Sequence, residues 1–181
     1  MPKIVDHEKR REEIALKAAF VFLELGYKDL GMRQLCNQIG MSKSALYHYF
    51  KGKDEIFKAA TEAMVKLDTL TLKDCPLAAQ ASLIERTENF ILILNLLAPR
   101  HFQEMKLIME YIGVIGHDQV AQDSSMKMAN DKYQKLLAHY VHPDYAKETY
   151  TLMLGLLSQQ MVQGTPLDKQ EISNLVRKVI A

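Results

Sequence analysis

Met32-Arg33-Gln34-Leu35-Cys36-Asn37-Gln38-Ile39-Gly40-Met41-Ser42-Lys43-Ser44-Ala45-Leu46-Tyr47-His48-Tyr49-Phe50-Lys51-Gly52-Lys53 is the stretch that decides the fold of this 181-residue chain. Leu35, Cys36 and Ile39 give its first half an apolar face at helical spacing. Gly40 follows; it reaches positive φ without the penalty of a Cβ, so the chain can reverse there. Met41 is apolar and can plug the gap between the two halves. Ser42 is a good N-cap, its hydroxyl able to accept from one of the orphan N–H groups of a helix start. Ala45, Leu46 and Phe50 then face a core, while Lys43, Ser44, Tyr47 and Tyr49 project outward. Two short helices joined by a Gly-containing turn of three or four residues make a helix-turn-helix, whose second helix enters the major groove of DNA.

The outward residues suit that task. Lys43 and Ser44 stand, with the capping Ser42, at the N-terminal end of the second helix, the end that points at base edges. Tyr47 and Tyr49 carry hydroxyls at a reach suited to phosphate oxygens, with His48 as a phosphate neighbour. Aromatics at helical spacing are more often core than contact, but Leu46 and Phe50 already supply the apolar face, which turns both tyrosines outward. Lys53 opens the next helix, so its ammonium and the free N–H groups of the helix end are expected to meet one phosphate. Arg33 can reach groove or backbone from the preceding helix. Most such contacts position a protein on DNA, and few side chains read sequence.

Working outward, apolar residues recur every three or four positions nearly throughout, with short Gly/Pro/Asp/Ser interruptions, no strand signal and no repeat. That pattern predicts an all-α chain of about nine helices, over 6–25, 32–39, 42–49, 53–72, 77–97, 99–115, 118–140, 143–163 and 166–180. Pro99, Pro143 and Pro166 suit a first helical turn, where a missing N–H is tolerated. The expected organisation is a three-helix head over 1–55 on a larger helical body over 56–181, joined through the helix at Lys53 without a flexible linker.

Composition narrows the function classes. Hydrophobic residues make up 48% of the chain, enough for a packed core. The formal net charge is +1, but residues 1–58 hold 11 Lys/Arg against 8 Asp/Glu and the remainder 12 against 14, which suits a nucleic-acid contact at the head. Met1-Pro2-Lys3-Ile4 leads into charged residues and not into an apolar leader. No run approaches the ~18 apolar residues of a membrane span, residues 90–99 being the best. A cytoplasmic protein without membrane contact is expected. Cys36 and Cys75 are far apart, and His101, Glu104, Glu110, His117 and Asp118 show no compact ligand spacing, so neither a disulfide framework nor a metal site is expected. Without a Gly-rich phosphate loop or a nucleophile elbow, neither a cofactor nor an enzyme class is supported. Cys36 reads as a small buried hydrophobe.

The run from Ile39-Gly40-Met41-Ser42-Lys43-Ser44-Ala45-Leu46-Tyr47-His48-Tyr49-Phe50 to Lys51-Gly52-Lys53-Asp54-Glu55 resembles the signature of the TetR family of bacterial transcriptional regulators. Gly26-Tyr27 and the total length fit it too. The resemblance is specific over about residues 8–58 and essentially absent beyond. It implies a head of three N-terminal helices, a helical body of variable sequence that binds small molecules, and a last helical pair that packs against a second subunit. Two positions depart from the family pattern: Gly31 stands where Thr or Ser is usual, and Cys36 where a small residue, most often Ala, is usual.

The body offers matching material. Met64, Met105 and Met109, with Phe90, Phe102, Tyr111 and Tyr133, suggest an adaptable apolar cavity between helices, core filling being the competing reading for each. A single helix-turn-helix buries too little on DNA for tight specific binding, so such heads act in pairs on two half-sites. For the pairing face, Leu152, Leu156 and Gln159 lie beside the small Gly155 on one helix, and Ile172, Leu175, Val176 and Val179 form a stripe on the next; intramolecular core is again the alternative. The expectation is a homodimeric repressor, released from a palindromic double-stranded DNA operator by a small apolar or amphipathic effector. The alternative is a helix-turn-helix regulator without a small-molecule effector, whose body docks on a protein partner.

Overall fold

In the computed structural model of the chain, residues 6–181 are described, and the reading of Met1-Pro2-Lys3-Ile4 lies outside them. The described residues form helices and no strand: α1 (His7–Leu25), α2 (Met32–Ile39), α3 (Lys43–Tyr47), α4 (Lys53–Thr71), α5 (Leu83–Ile115), a 3₁₀ segment (His117–Gln122), α6 (Ser124–Tyr140), α7 (Ala146–Gln163) and α8 (Lys169–Ile180). The chain divides into two compact units, one of residues up to 67 together with 103–129, the other of 68–102 together with 130–181. The head read from sequence as 1–55 is therefore only part of the first unit, which takes in most of α4 and the second half of α5. The reason is the core itself.

That core is built from one stripe per helix. Asp6 caps α1 by accepting from the Lys9 N–H at 3.2 Å. Ile14, Ala15, Ala18, Ala19 and Phe22 then recur at three- and four-residue spacing and are buried. They meet Leu35, Cys36 and Ile39 of α2, Leu46 of α3, and Phe50 from the loop after it. Ile56, Phe57, Ala59, Ala60 and Met64 of α4 close one side, and Leu107 and Tyr111 of α5 complete the cluster. With α2 of eight residues and α3 of five, the first three helices bury too little to hold a rigid shape alone, so α4 and α5 supply the missing wall.

The second unit has its own core of Phe90, Ile93, Leu94, Leu97, Leu136, Leu137, Met153, Leu156, Leu157, Ile172, Val176 and Ile180, among others. The segment between α4 and α5 is tied down by Asn89, whose amide donates to the carbonyls of Pro76 and Tyr140, each at 2.8 Å. Asp68 is buried, but its charge is met by the Arg100 guanidinium at 2.5 Å and by the Tyr133 hydroxyl at 3.3 Å. A carboxylate taken out of water needs such partners.

Several helix limits differ from the sequence reading, for one shared reason. The expected helices 77–97 and 99–115 are a single α5 with Pro99 inside it. One lost N–H is outweighed by burial on both sides of it, at Leu94 and Leu97 before and His101 and Leu107 after. The starts of α5, α6 and α8 follow capping side chains and not prolines, whereas α7 starts after Tyr145 with no side-chain cap. Ser82 and Glu85 form a reciprocal capping box at the head of α5. Asp123 accepts from the Ser125 and Met126 N–H groups at the start of α6, and Asp168 from those of Gln170 and Glu171 in α8. Pro143 and Pro166 lie in the loops that precede α7 and α8.

Leu46 is fully buried among these helices. Replacing it with Ala is expected to cost about 2–5 kcal/mol, transfer and cavity terms together. Urea denaturation followed by far-UV circular dichroism measures this, with the loss expected in the first unit's transition.

Candidate nucleic-acid interface

The turn between α2 and α3 forms as its residues require. Gly40 sits at φ +71°, ψ +38°, and the Met41 N–H returns to the Cys36 carbonyl at 2.9 Å, closing the end of α2. Met41 packs against the core. Ser42 is extended, and its Oγ accepts from the Ala45 N–H at 3.2 Å while lying 3.1 Å from Ser44 Oγ. Its hydroxyl is committed to the cap. Helix α3 is only five residues long, and its solvent side carries Lys43, Ser44, Tyr47 and His48, all exposed. Lys43 holds its ammonium 5.7 Å from the Tyr47 ring centre, so the cation and the phenol share one surface. Arg33 is also exposed, on α2.

Two of the expected contacts are placed differently. Tyr49 is half-buried and packs against the core, with its ring stacked on His7 at 4.7 Å and edge-on to His48 at 5.3 Å. It does not project freely as Tyr47 does, because it lies where the chain leaves α3. Lys53 is engaged within the head. Its Nζ donates to the Tyr27 carbonyl at 2.8 Å and to the Leu30 carbonyl at 3.1 Å, and it sits 4.2 Å from the Tyr27 ring centre. Two of its three donors thus close the turn between α1 and α2, which leaves at most one for a phosphate.

Sequence reading also missed Arg11. Its Nη2 donates to Glu55 Oε1 at 2.7 Å, its Nε to the Tyr49 carbonyl at 3.3 Å, and its guanidinium carbon lies 4.5 Å over the Phe50 ring. The other Glu55 oxygen accepts from the Lys51 N–H at 2.7 Å. Arg11 therefore clamps the loop that fixes the far end of α3. That N–H from Lys51, and then Arg11, hold the Glu55 carboxyl below the usual carboxylate range. No local signal could disclose this pair, since 44 residues separate its members. Gly31 caps α2 with no side-chain hydrogen bond. Burial pushes up the thiol of Cys36 against the opposing pull of Lys43, and burial together with Asp74 pushes up that of Cys75, the opposite of what activates a cysteine.

The remaining candidates fall in both units. Of the residues read as a ligand pocket, Met64, Met105, Met109 and Tyr111 belong to the first unit, and Phe90, Phe102 and Tyr133 to the second. Met64, Tyr111 and Phe90 are core residues, Met105 and Tyr133 are half-buried, and Phe102 and Met109 face solvent. The Tyr111 hydroxyl meets Asp123 at 3.0 Å, and burial, with that carboxylate, pushes its pKa up to about 12. Of the pairing residues, Leu156, Ile172 and Val176 are spent on the core of their own unit, whereas Gly155, Gln159 and Leu175 are exposed and Leu152 and Val179 half-buried. Among the described residues, no three His, Cys, Asp or Glu side chains converge as a metal site, and no helix is long and apolar enough to cross a membrane.

Comparison with known proteins identifies the class to which this head belongs. Residues 14–60 match the family model described as bacterial regulatory proteins, tetR family. Over 188 aligned positions, covering 97% of this chain and 90% of the relative, the sequence is 26% identical to the HTH-type transcriptional regulator PksA of Bacillus subtilis (strain 168). It is 43% identical over 61 residues, a third of each chain, to the HTH-type transcriptional repressor Rv1474c of Mycobacterium tuberculosis. Among solved structures, the multidrug binding protein EbrR complexed with ethidium superposes with a TM-score of 0.71 at 17% identity, covering 95% of this chain and 99% of that one. Residues 14–60 thus carry the helix-turn-helix domain of the tetR family of bacterial regulatory proteins, and along nearly its whole length the chain is similar to a transcriptional regulator.

Lys53→Met is expected to lower thermal stability by about 1 kcal/mol or more through two lost charge-assisted hydrogen bonds, while the slope of log affinity against log salt changes by less than about one; calorimetry and DNA titration at several salt concentrations check this. Because the Glu55 pKa is depressed in the folded state, the stability this carboxylate contributes is present above its unfolded value of about 4.3 and is lost as pH falls through the folded value. Stability measured from pH 6 to 3 should therefore fall less steeply in Glu55→Gln than in the wild type.

Proposed function

We propose that the chain is a homodimeric repressor working in the cytoplasm, released from a palindromic operator when a small apolar or amphipathic molecule binds its helical body. The observation that carries the DNA half is the solvent face of α3, where Lys43, Ser44, Tyr47 and His48 stand exposed on a helix fixed by the Ser42 cap and the Arg11 clamp. In this reading Lys43 and Ser44 meet base edges, while Tyr47, His48 and Arg33 meet phosphate and sugar. Ser42 and Tyr49 hold α3 more than they touch DNA, and the Lys53 backbone N–H at the head of α4 remains open to a phosphate.

The pairing half rests on α7 and α8. An open groove of about 690 Å³ runs along them, lined by Leu152, Gly155, Leu156, Gln159 and Leu175 with Lys147, Glu148 and Thr151 at its edge. Leu154 and Val162 are also exposed, and a face this apolar with a glycine at its centre supports close approach of a second copy about a two-fold axis. The ligand half has less behind it: EbrR, a protein of the same fold, is held with ethidium, which supports a flat aromatic molecule as the first probe. The alternative, a body that docks on a protein partner, is favoured by the exposed Ile84, Leu92 and Phe102 along α5.

Sedimentation equilibrium is expected to give twice the 20.7 kDa chain mass at micromolar concentration. Leu175→Glu should yield a monomer that binds a recovered genomic fragment at least ~10-fold more weakly, since one half-site is lost. A wild-type monomer that binds such a fragment as tightly as a dimer would overturn the pairing. Ethidium that neither binds nor displaces the DNA would favour the protein-partner alternative.

A further inference from the structure

The turn between α1 and α2 has backbone groups that its own residues leave unsatisfied. Gly26, at φ +79°, ends α1 with its N–H on the Phe22 carbonyl at 2.8 Å. The next N–H, of Tyr27, donates to Glu110 Oε2 at 2.8 Å, and that of Lys28 lies 3.4 Å from the same oxygen. On the other side, the Lys53 ammonium takes the Tyr27 and Leu30 carbonyls. The N–H side of the turn is thus completed by α5 and its carbonyl side by α4. Gly26 is needed twice over: its φ disfavours a side chain, and a Cβ there would collide with the Glu110 carboxylate.

Glu110 is held at its post. Its neighbour Tyr111 is buried, stacked on Phe57 at 4.5 Å and edge-on to Tyr27 at 4.9 Å, and Leu107 one turn earlier is in the same core. The Tyr27 hydroxyl in turn donates to Asp54. Among the described residues, the carboxylate's other partner is Lys106, an exposed i,i+4 cation at 3.9 Å, an arrangement worth little in water. The main work of the Glu110 side chain is therefore on the turn, and α2 begins four residues after Lys28.

We propose that Glu110 is a positioning residue for DNA binding: by accepting from the Tyr27 and Lys28 peptide N–H groups it fixes the start of α2, and with it the pitch at which α3 meets the groove. It acts from a helix outside the helix-turn-helix sequence and touches no DNA. The inference rests on the DNA-binding role of the family and goes beyond it by naming where α5 grips the reading head.

The test uses the full chain and a genomic fragment recovered by its own binding. Affinity is measured for wild type, Glu110→Ala and Glu110→Gln at several salt concentrations, together with amide hydrogen exchange. Glu110→Ala should bind about tenfold more weakly, with the salt slope unchanged because no phosphate contact is lost. The Tyr27 and Lys28 amides should exchange faster, while those of α4 keep their protection. Glu110→Gln, whose amide oxygen still accepts, should restore binding to within about threefold of the wild type. Wild-type affinity in Glu110→Ala, unchanged exchange at Tyr27, or a Glu110→Gln as weak as the alanine variant would each overturn the proposal. Should Glu110→Ala unfold at the assay temperature, Gly26→Ala decides in its place, and undiminished binding there would overturn the proposal as well. A wild-type chain that retains no fragment would instead remove the DNA-binding reading on which the rest stands.

Discussion

Helix α3 is five residues long, and no helix of that length holds its shape in water. Everything it offers to DNA depends on being pinned from outside. Leu46 and Phe50 anchor its inner side in the core, Ser42 closes its first turn, and Arg11 holds the loop at its far end through the Tyr49 carbonyl and the Phe50 ring. The Arg11 guanidinium is fixed in turn by Glu55, and Glu55 by the Lys51 peptide. The apolar contacts supply the stabilisation and the polar ones the orientation. The core fixes where α3 lies; the clamps fix how it is turned.

The same division of labour runs through the first unit. Tyr27 sits at its centre, with its ring among Phe22, Phe57 and Tyr111, its hydroxyl on Asp54, and its two backbone groups taken by Glu110 and Lys53. Burial and the Asp54 carboxylate together push the Tyr27 phenol well above its ordinary pKa, so it remains a donor at any physiological pH. A protein that must hold a short helix at one angle to a rigid duplex gains from a head whose polar turns are satisfied by fixed side chains and not by water. Residues 103–115 of α5 belong to the compact unit that carries α3, so that unit extends beyond residues 14–60, which match the family model.

What the sequence disclosed and what it hid follow from range. Gly40, Met41 and Ser42 act on neighbours within five residues, and their roles were legible from residue type and order alone. The outward setting of Lys43, Ser44 and Tyr47 followed from the placing of Leu46 and Phe50. Tyr49 reads as outward for the same reason and Lys53 as a phosphate contact because it opens α4, but partners that local spacing does not show, His7 for one and the Tyr27 and Leu30 carbonyls for the other, take them up. The grips on the head hid completely, because Arg11 and Glu55 are 44 residues apart and Tyr27 and Glu110 are 83 apart. In the second unit, the stripes on α7 and α8 were visible, but a stripe does not say which side of it is spent at home. Ile172 and Val176 are core, and Leu175 between them is not. The prolines mislead at α5 and α8, where the caps Ser82 and Asp168 and the burial either side of Pro99 set the helix limits.

The most direct test of the account is a chemical-shift titration of the labelled chain with a genomic fragment that it retains at low ionic strength. The account predicts that the largest shifts fall on residues 42–49 and on Arg33, and that the perturbation fades as salt is raised. Shifts confined to other helices, with residues 42–49 unmoved, would contradict it.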